Sequence, residues 1–392
     1  PYRFSARSWE LQNHNGISPH DCVGANLRVQ TLRGVVERVL PRDNEAVNEC
    51  WLADRDRFGY EGVNSPDRLT VPMIRDGQEW REASWEAALK HAVAGLRAVI
   101  SSGSAEDVAG LAAPGSSLEE FYLLQKLLRG LGSDNVDHRL QQQDFSGDDA
   151  APAIPGLEIP IAGIDVAKAV LLVGSNLRKE QPLLSVRLRQ AVVRNGATVG
   201  SVNVMDYPQT FELCECAIAP PSRLAATLAG VAMAVARSRN VDLPEEISKL
   251  TDSPALEQTA AALLEAGENG LLLLGANAAQ NAAASSLHAI AQWIAEQTGA
   301  RIGLLPTANS AAAWLAGCIP HRGPHGHPVE RSGRNTAEMM ANGQRAFVLL
   351  GTEPELDSLD GAAARKAMRN AEFVVQISPF VSETMMDCAD VL

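Results

Sequence analysis

The densest run of metal-binding side chain types is Pro320-His-Arg-Gly-Pro-His-Gly-His-Pro, which carries His321, His325 and His327. Neutral imidazole suits several transition metals. Gly and Pro on every side leave the loop geometry undefined, and no acidic residue joins the histidines before Glu330. A loop packed on a sheet edge or a partner is the expectation there. Cys214 and Cys216 stand two apart, so strand alternation would aim both thiols to one face. Two donors do not complete a metal site, and structural cysteines are expected. The segment Leu171-Leu-Val-Gly-Ser-Asn-Leu-Arg-Lys-Glu-Gln-Pro reads as a strand, a turn at Gly174, Ser175 and Asn176, and a helix opening near Pro182. The carboxyl edge of a parallel sheet is where nucleotides commonly bind, which makes these three residues nucleotide-site candidates. No G-x-G-x-x-G accompanies them, and a plain strand-to-helix turn is the alternative. No Ser/His/Asp spacing or carboxylate pair stands out, and no nucleophile is assigned.

The elements that must hold these residues alternate along the chain. A half-buried β-hairpin is expected from Asn26–Arg33 and Val35–Leu40 around Gly34. Ser84 caps a helix to about Ile100, then come strand Val108–Ala112 and helix Leu118–Leu131, closed by Gly132. A proline-rich linker, Pro152–Pro160, leads to a second series. Strands are expected at Lys168–Gly174, Thr198–Asn203, Gly270–Gly275 and Ile302–Leu305, with helices at Pro182–Asn195, Leu224–Ala236, Pro254–Ala266, Ala278–Thr298 and Ser310–Ala316. Helix Thr336–Ala341, strand Ala346–Leu350, helix Gly361–Arg369 and strand Phe373–Ile377 repeat the scheme. Strands that are apolar throughout, separated by helices, indicate parallel sheets covered on both faces. The fold class is therefore α/β, with a small N-terminal β subdomain and doubly wound parallel-sheet domains.

The 392 residues suffice for two or three domains, and 46% hydrophobic with 21% charged residues is ordinary for a globular chain. A net charge of −13 argues against nucleic acid or an anionic membrane as the main partner. No apolar run approaches the roughly 20 residues of a spanning helix, so no membrane insertion is expected. Arg3, Arg7, Glu10, His14 and Asp21 interrupt any signal-peptide pattern. Six cysteines without a C-x-x-C pair favour a reducing compartment. An opening without Met and an end at Ala389-Asp-Val-Leu, inside an apparent strand, suggest a piece of a longer protein.

The segments Ile17-Ser-Pro-His-Asp-Cys-Val-Gly-Ala-Asn and Arg38-Val-Leu-Pro-Arg-Asp-Asn-Glu-Ala-Val-Asn-Glu-Cys-Trp-Leu-Ala-Asp-Arg-Asp-Arg-Phe-Gly-Tyr resemble the molybdopterin oxidoreductase superfamily. The resemblance is closest to the G subunits of bacterial NADH:quinone oxidoreductase, respiratory complex I. Asn135-Val-Asp-His-Arg-Leu, Val173-Gly-Ser-Asn, Leu305-Pro-Thr-Ala-Asn-Ser with Trp314-Leu-Ala-Gly, and Ser378-Pro-Phe-Val-Ser-Glu-Thr-Met-Met-Asp-Cys extend it along the chain.

The resemblance implies a degenerate [4Fe–4S]-type subdomain at 1–65, a discontinuous α/β domain from 66–150 plus 320–392, and an inserted Rossmann-like domain at 151–319. Superfamily members that hold the cluster use C-x2-C-x3-C and a later fourth Cys, whose positions fall here on Ser18, Asp21, Ala25 and Ala53. Alanine cannot ligate iron and oxygen donors are poor substitutes for thiolate, so these are expected to be former ligand positions. Cys22 and Cys50 sit beside them but are displaced along the chain. The molybdenum-ligand position of catalytic relatives falls near Gln143, with Asp144 or Ser146 one register slip away, and Arg55 stands where those relatives often carry Lys. The expectation is a fragment with no cofactor, the full-length subunit carrying its iron–sulfur clusters in an N-terminal region absent here. It would be a scaffold contacting other peripheral-arm subunits on the cytoplasmic side of the bacterial inner membrane. The alternatives are an active molybdopterin-dependent oxidoreductase using Asp144, and a nucleotide-binding regulatory domain.

Overall fold

The computed structural model describes residues 5–77, 79–250 and 253–392, so Arg3, the first residue set against a signal-peptide pattern, lies outside the described residues. In chain order the strands are β1 (Gln12–Ile17), β2 (Asn26–Leu32), β3 (Val35–Pro41), β4 (Met73–Asp76), β5 (Glu79–Glu82), β6 (Val108–Ala112), β7 (Val136–Asp137), β8 (Ala169–Val173), β9 (Thr198–Asn203), β10 (Glu215–Ile218), β11 (Gly270–Leu274), β12 (Arg301–Leu304), β13 (Ala346–Leu350) and β14 (Phe373–Ile377). The chain divides into two compact units. The first takes the chain through Gly59, then Gln142–Ala151 and Pro155–Thr307; the second takes Tyr60–Gln141, Pro152–Ile154 and Ala308–Leu392.

In the first unit β1, β2 and β3 form an antiparallel sheet. The expected hairpin is there, turning at Arg33 and Gly34, both with positive φ. Strand β1 escaped sequence reading because Gln12-Asn-His-Asn offers no apolar alternation; it is an exposed edge strand. The same unit holds a parallel five-stranded sheet in the order β10-β9-β8-β11-β12. The chain starts in the middle at β8, builds outward through β9 and β10, then crosses back to β11. The strand order therefore reverses between β8 and β11.

All five residues of β8 and of β11 are buried, which explains their unbroken apolar runs. Alternate side chains serve opposite cores. Ala169, Leu171 and Val173 join helices Leu224–Arg239 and Ala284–Thr298 on one face. Val170 and Leu172 join helix Pro182–Asn195 on the other. Helix Ala284–Thr298 begins six residues later than its alanine content suggests. The Asn281 side chain accepts from the Ala283 N–H at 2.9 Å and donates to the Pro221 carbonyl at 2.9 Å, which diverts the backbone into a turn.

The second unit contains the parallel sheet β14-β13-β6-β7 and the antiparallel pair β4-β5. Val108 and Ala112 of β6 face helices Trp85–Ser102 and Leu118–Leu131, while Ala109 and Leu111 face helix Gly361–Asn370 and the chain end. Ser84 caps the first of these helices by accepting from the Ala87 N–H at 3.2 Å. Ser117 and Glu120 form a reciprocal cap on the second, and Gly132 ends it at φ 96°. The chain end is not a strand: in Ala389–Leu392 only Val391 forms bridges, to Ile74 and Val375.

Within the first unit one guanidinium fastens the N-terminal segment. Arg187, 3% exposed, donates to the Glu45 carbonyl at 2.6 Å, to the Val47 carbonyl at 3.2 Å and to the Asp165 carboxylate at 2.6 Å. Methionine matches its length but leaves these acceptors unpaired. Arg187→Met is expected to lower the unfolding free energy by about 2–3 kcal/mol. Denaturant titration checks this, and an unchanged midpoint contradicts it.

Candidate functional site

The four positions aligned with cluster ligands lie in the first unit and are buried: Ser18 and Asp21 are each 5% exposed, Ala25 is 0% and Ala53 is 5%. All four are tied into one region, directly or through neighbouring residues. The Ser18 N–H donates to the Ala25 carbonyl at 2.9 Å, and Ala53 opens the short helix Asp54–Phe58. Two residues of that helix engage the other loop. Ser18 Oγ donates to Asp56 Oδ1 at 2.5 Å, and His20 Nδ1 donates to the same oxygen at 2.7 Å. Asp21 accepts from the Val23 N–H at 2.9 Å and from the Arg55 guanidinium at 2.6 Å. Arg55 also donates to the carbonyls of Glu180 and Lys179, in the turn that follows β8. Ala25 is part of the apolar core below, beside Val23 and Leu172.

The neighbouring thiols differ. Cys22 is held in low-dielectric surroundings beside Asp21, and burial pushes it up to about 12, so it stays protonated at neutral pH. Cys50 is exposed. Among the described residues no group of three or more His, Cys, Asp or Glu is arranged to hold a metal ion.

Gln143 and Asp144 are committed elsewhere in the same unit. Gln143 donates to the Gln280 carbonyl at 2.8 Å. One Asp144 oxygen accepts from the Ser146 N–H at 3.0 Å and the Ser146 hydroxyl at 2.6 Å; the other accepts from the Ser285 N–H at 2.9 Å and the Ser285 hydroxyl. Ser285 lies in the first turn of helix Ala284–Thr298, where a carboxylate is favoured. Burial by itself would raise the Asp144 carboxyl, but these hydrogen bonds together outweigh it and hold the group at about 2.

Gly174, Ser175 and Asn176 sit at the carboxyl edge of β8, beside the reversal of strand order. There the backbone of this turn touches the one after β11. Gly174 has φ +54°, and a Cβ on it would lie 2.5 Å from the Ala278 nitrogen. The Asn277 N–H donates to the Gly174 carbonyl at 2.9 Å. Asn203, at the end of β9, donates to the Ser175 carbonyl at 3.1 Å. The Ser175 hydroxyl and the Asn203 carbonyl oxygen are buried without a hydrogen-bond partner in the protein. In the second unit His321 lies edge-on to Trp314 at 5.5 Å, and the rings of His325 and His327 are 6.5 Å apart. Cys216 is exposed on edge strand β10, and Cys214 contacts the Thr259 hydroxyl at 3.7 Å.

The pairing of His20 and Ser18 with Asp56 escaped sequence reading. The partners lie 36 and 38 residues apart, so no periodicity links them. Arg187 and its carbonyl partners were hidden in the same way. The resemblance marked the two stretches that carry Ser18, His20 and Asp56, at 17–26 and 38–60, but not their pairing.

Residues 68–392 match the family model described as molybdopterin oxidoreductase, and residues 11–61 match that of the NADH-ubiquinone oxidoreductase NDSU1/NuoG-like, 4Fe-4S domain. The G subunit of the NADH-quinone oxidoreductase of Rickettsia felis is 38% identical over 213 residues, covering 54% of this chain and 31% of the relative. The mitochondrial NADH-ubiquinone oxidoreductase 78 kDa subunit of Candida albicans is 36% identical over 215 residues, covering 54% and 29%. The 75 kDa subunit of Reclinomonas americana is 31% identical over 219 residues, covering 52% and 30%. The matched stretch thus spans under a third of these relatives' length. Acetylene hydratase from Pelobacter acetylenicus shares the fold with a TM-score of 0.64 at 13% identity, over 96% of this chain and 62% of that one.

One expectation is overturned. The fragment was expected to carry no cofactor, but the match over residues 11–61 is to a 4Fe-4S domain and points to an iron–sulfur cluster on this chain. The side chains at the four aligned positions do not form the thiolate set such a cluster takes. They are a hydroxyl, a carboxylate and two methyl groups, and the two polar ones are bonded to Asp56 and Arg55. Near the position aligned with a molybdenum ligand, Asp144 likewise does not fit a metal ligand, because both its carboxylate oxygens are engaged within the protein, and the Gln143 amide nitrogen is held by the Gln280 carbonyl.

The Asp144 carboxyl generates a pH prediction. Its pKa is lower in the folded chain than in the unfolded one, so the stability it confers is complete above about 3.8 and is lost as pH falls through about 2. Asp144→Asn is expected to be less stable than the parent above about pH 4, with the gap closing toward about pH 2. Urea midpoints measured for both proteins across that range check it. A pH-independent gap contradicts it.

Proposed function

The chain belongs to the molybdopterin oxidoreductase family, and from that premise we propose that it is the framework part of the G subunit of an NADH:quinone oxidoreductase, serving electron transfer from NADH to quinone by the whole complex. The observation that carries this reading is the pairing of the two family matches with relatives that are named as subunits of that enzyme. The commitment of the former ligand positions supports a framework role. Ser18, Asp21 and Asp144 spend side-chain oxygens on internal hydrogen bonds. Ala25 and Ala53 supply packing.

The work of such a framework is to present surfaces to neighbouring subunits and to the rest of its own subunit. No helix among the described residues is long and apolar enough to cross a membrane, which suits a peripheral position. We place that position in the peripheral arm, on the cytoplasmic side of a bacterial inner membrane. The domain division proposed with it is a β subdomain at 1–65, an α/β domain from 66–150 with 320–392, and an inserted Rossmann-like domain at 151–319.

The edge at Gly174, Ser175 and Asn176 is assigned to a vestigial nucleotide site. Its support is the reversal of strand order beside it and the buried oxygens of Ser175 and Asn203.

The reading is tested in cells. A tag on the full-length protein that contains this chain should co-purify NADH:quinone reductase activity from solubilised membranes. Deleting residues 68–392 should abolish assembly of that activity, while the isolated chain oxidises no NADH. Catalytic turnover by the isolated chain, or normal assembly without residues 68–392, overturns the proposal.

A further inference from the structure

Two of the four aligned ligand positions, Ser18 and Asp21, are not idle. In a four-cysteine site, ligation would cross-link the loop bearing the first three positions to the segment bearing the fourth. Here the same two segments are joined by side chains. Asp21 meets Arg55 at 2.6 Å, and Ser18 and His20 both meet Asp56, at 2.5 Å and 2.7 Å. The carboxylates are deeply buried, at 2% side-chain exposure for Asp21 and 0% for Asp56, so neither tie is a loose surface pair. Arg55 reaches further, to the carbonyls of Lys179 and Glu180 after β8.

We propose that the Asp21–Arg55 ion pair and the Ser18–Asp56–His20 hydrogen bonds form a latch that holds the loop 18–25 on the segment 53–56 and on the turn after β8. This rests on the framework reading but deepens it, because it gives those positions a present task. Of the four aligned positions the latch uses Ser18 and Asp21, with His20, Arg55 and Asp56 as their neighbours and partners. A guanidinium suits the task because its planar fork serves a carboxylate and two carbonyls at once, which an ammonium cannot match in geometry. Asp56 suits it because one carboxylate oxygen collects two donors from the loop.

The test uses the full chain and reads amide hydrogen exchange together with iron content. Asp21→Asn and Arg55→Met should each speed exchange of the 18–25 amides by about tenfold or more, without comparable change in β11 or β13. The double variant should be no worse than Arg55→Met alone, because that variant already removes the tie to Asp21. If Arg55→Met does not fold, Arg55→Lys is the substitute and should give a smaller increase at the same amides. Unchanged exchange in 18–25, or single effects that simply add, overturns the latch. So does iron that the parent binds and that Asp21→Asn alone releases, since Asp21 would then be a ligand. Because assembly is not the readout, failure here leaves the framework reading to its own test.

Discussion

The arrangement of the first unit depends on two guanidinium groups, Arg187 buried and Arg55 half-buried, that pair with carboxylates and backbone carbonyls far away in the chain. Arg55 joins the loop around Asp21 to the turn after β8, and Arg187 joins the Glu45–Val47 stretch to helix Pro182–Asn195. Arg187 leaves water to make its contacts and Arg55 leaves it in part, while the carboxylate Arg55 meets is buried, so each is stabilising only while its acceptors are in place. That condition makes the N-terminal segment and the parallel sheet mutually dependent. Apolar contact adds to it, since Val23 and Ala25 share a core with Val170 and Leu172. The small antiparallel sheet has little interior of its own, and β1 is almost wholly exposed. Its order must come from what it is fastened to.

The parallel sheets themselves were largely legible. Helix Leu118–Leu131, helix Pro182–Asn195, β6, β9, β13 and β14 fall where capping residues and unbroken apolar runs place them. These elements announce themselves because both strand faces are buried and each helix start has a local signal. Legibility failed where structure is short or polar. The β4-β5 pair carries Arg75, Asp76, Glu79, Arg81 and Glu82, with little apolar alternation to mark it. Edge strand β1 and the Asn281 turn lack periodic signals too.

The candidate site was legible in part. The resemblance located Ser18, Asp21, Ala25 and Ala53, and all four prove buried and tied into one region. What the positions do was not legible, because the partners of Ser18 and Asp21 are set by folding rather than by spacing. The expectation of no cofactor came from reading ligand residues one at a time. The match of the whole segment to a 4Fe-4S domain corrects it. Domain class and donor set therefore point in different directions at this place. Asp144, beside the position where the resemblance expects a molybdenum ligand, serves the N-terminus of a helix.

The most direct measurement is anomalous X-ray scattering at the iron edge from crystals of the protein. The account predicts that the Arg55 guanidinium and the Asp56 carboxylate fill the space beside Asp21 and Ser18, with no anomalous peak bonded to either residue. An iron peak within bonding distance of the Asp21 carboxylate or the Ser18 hydroxyl would contradict it.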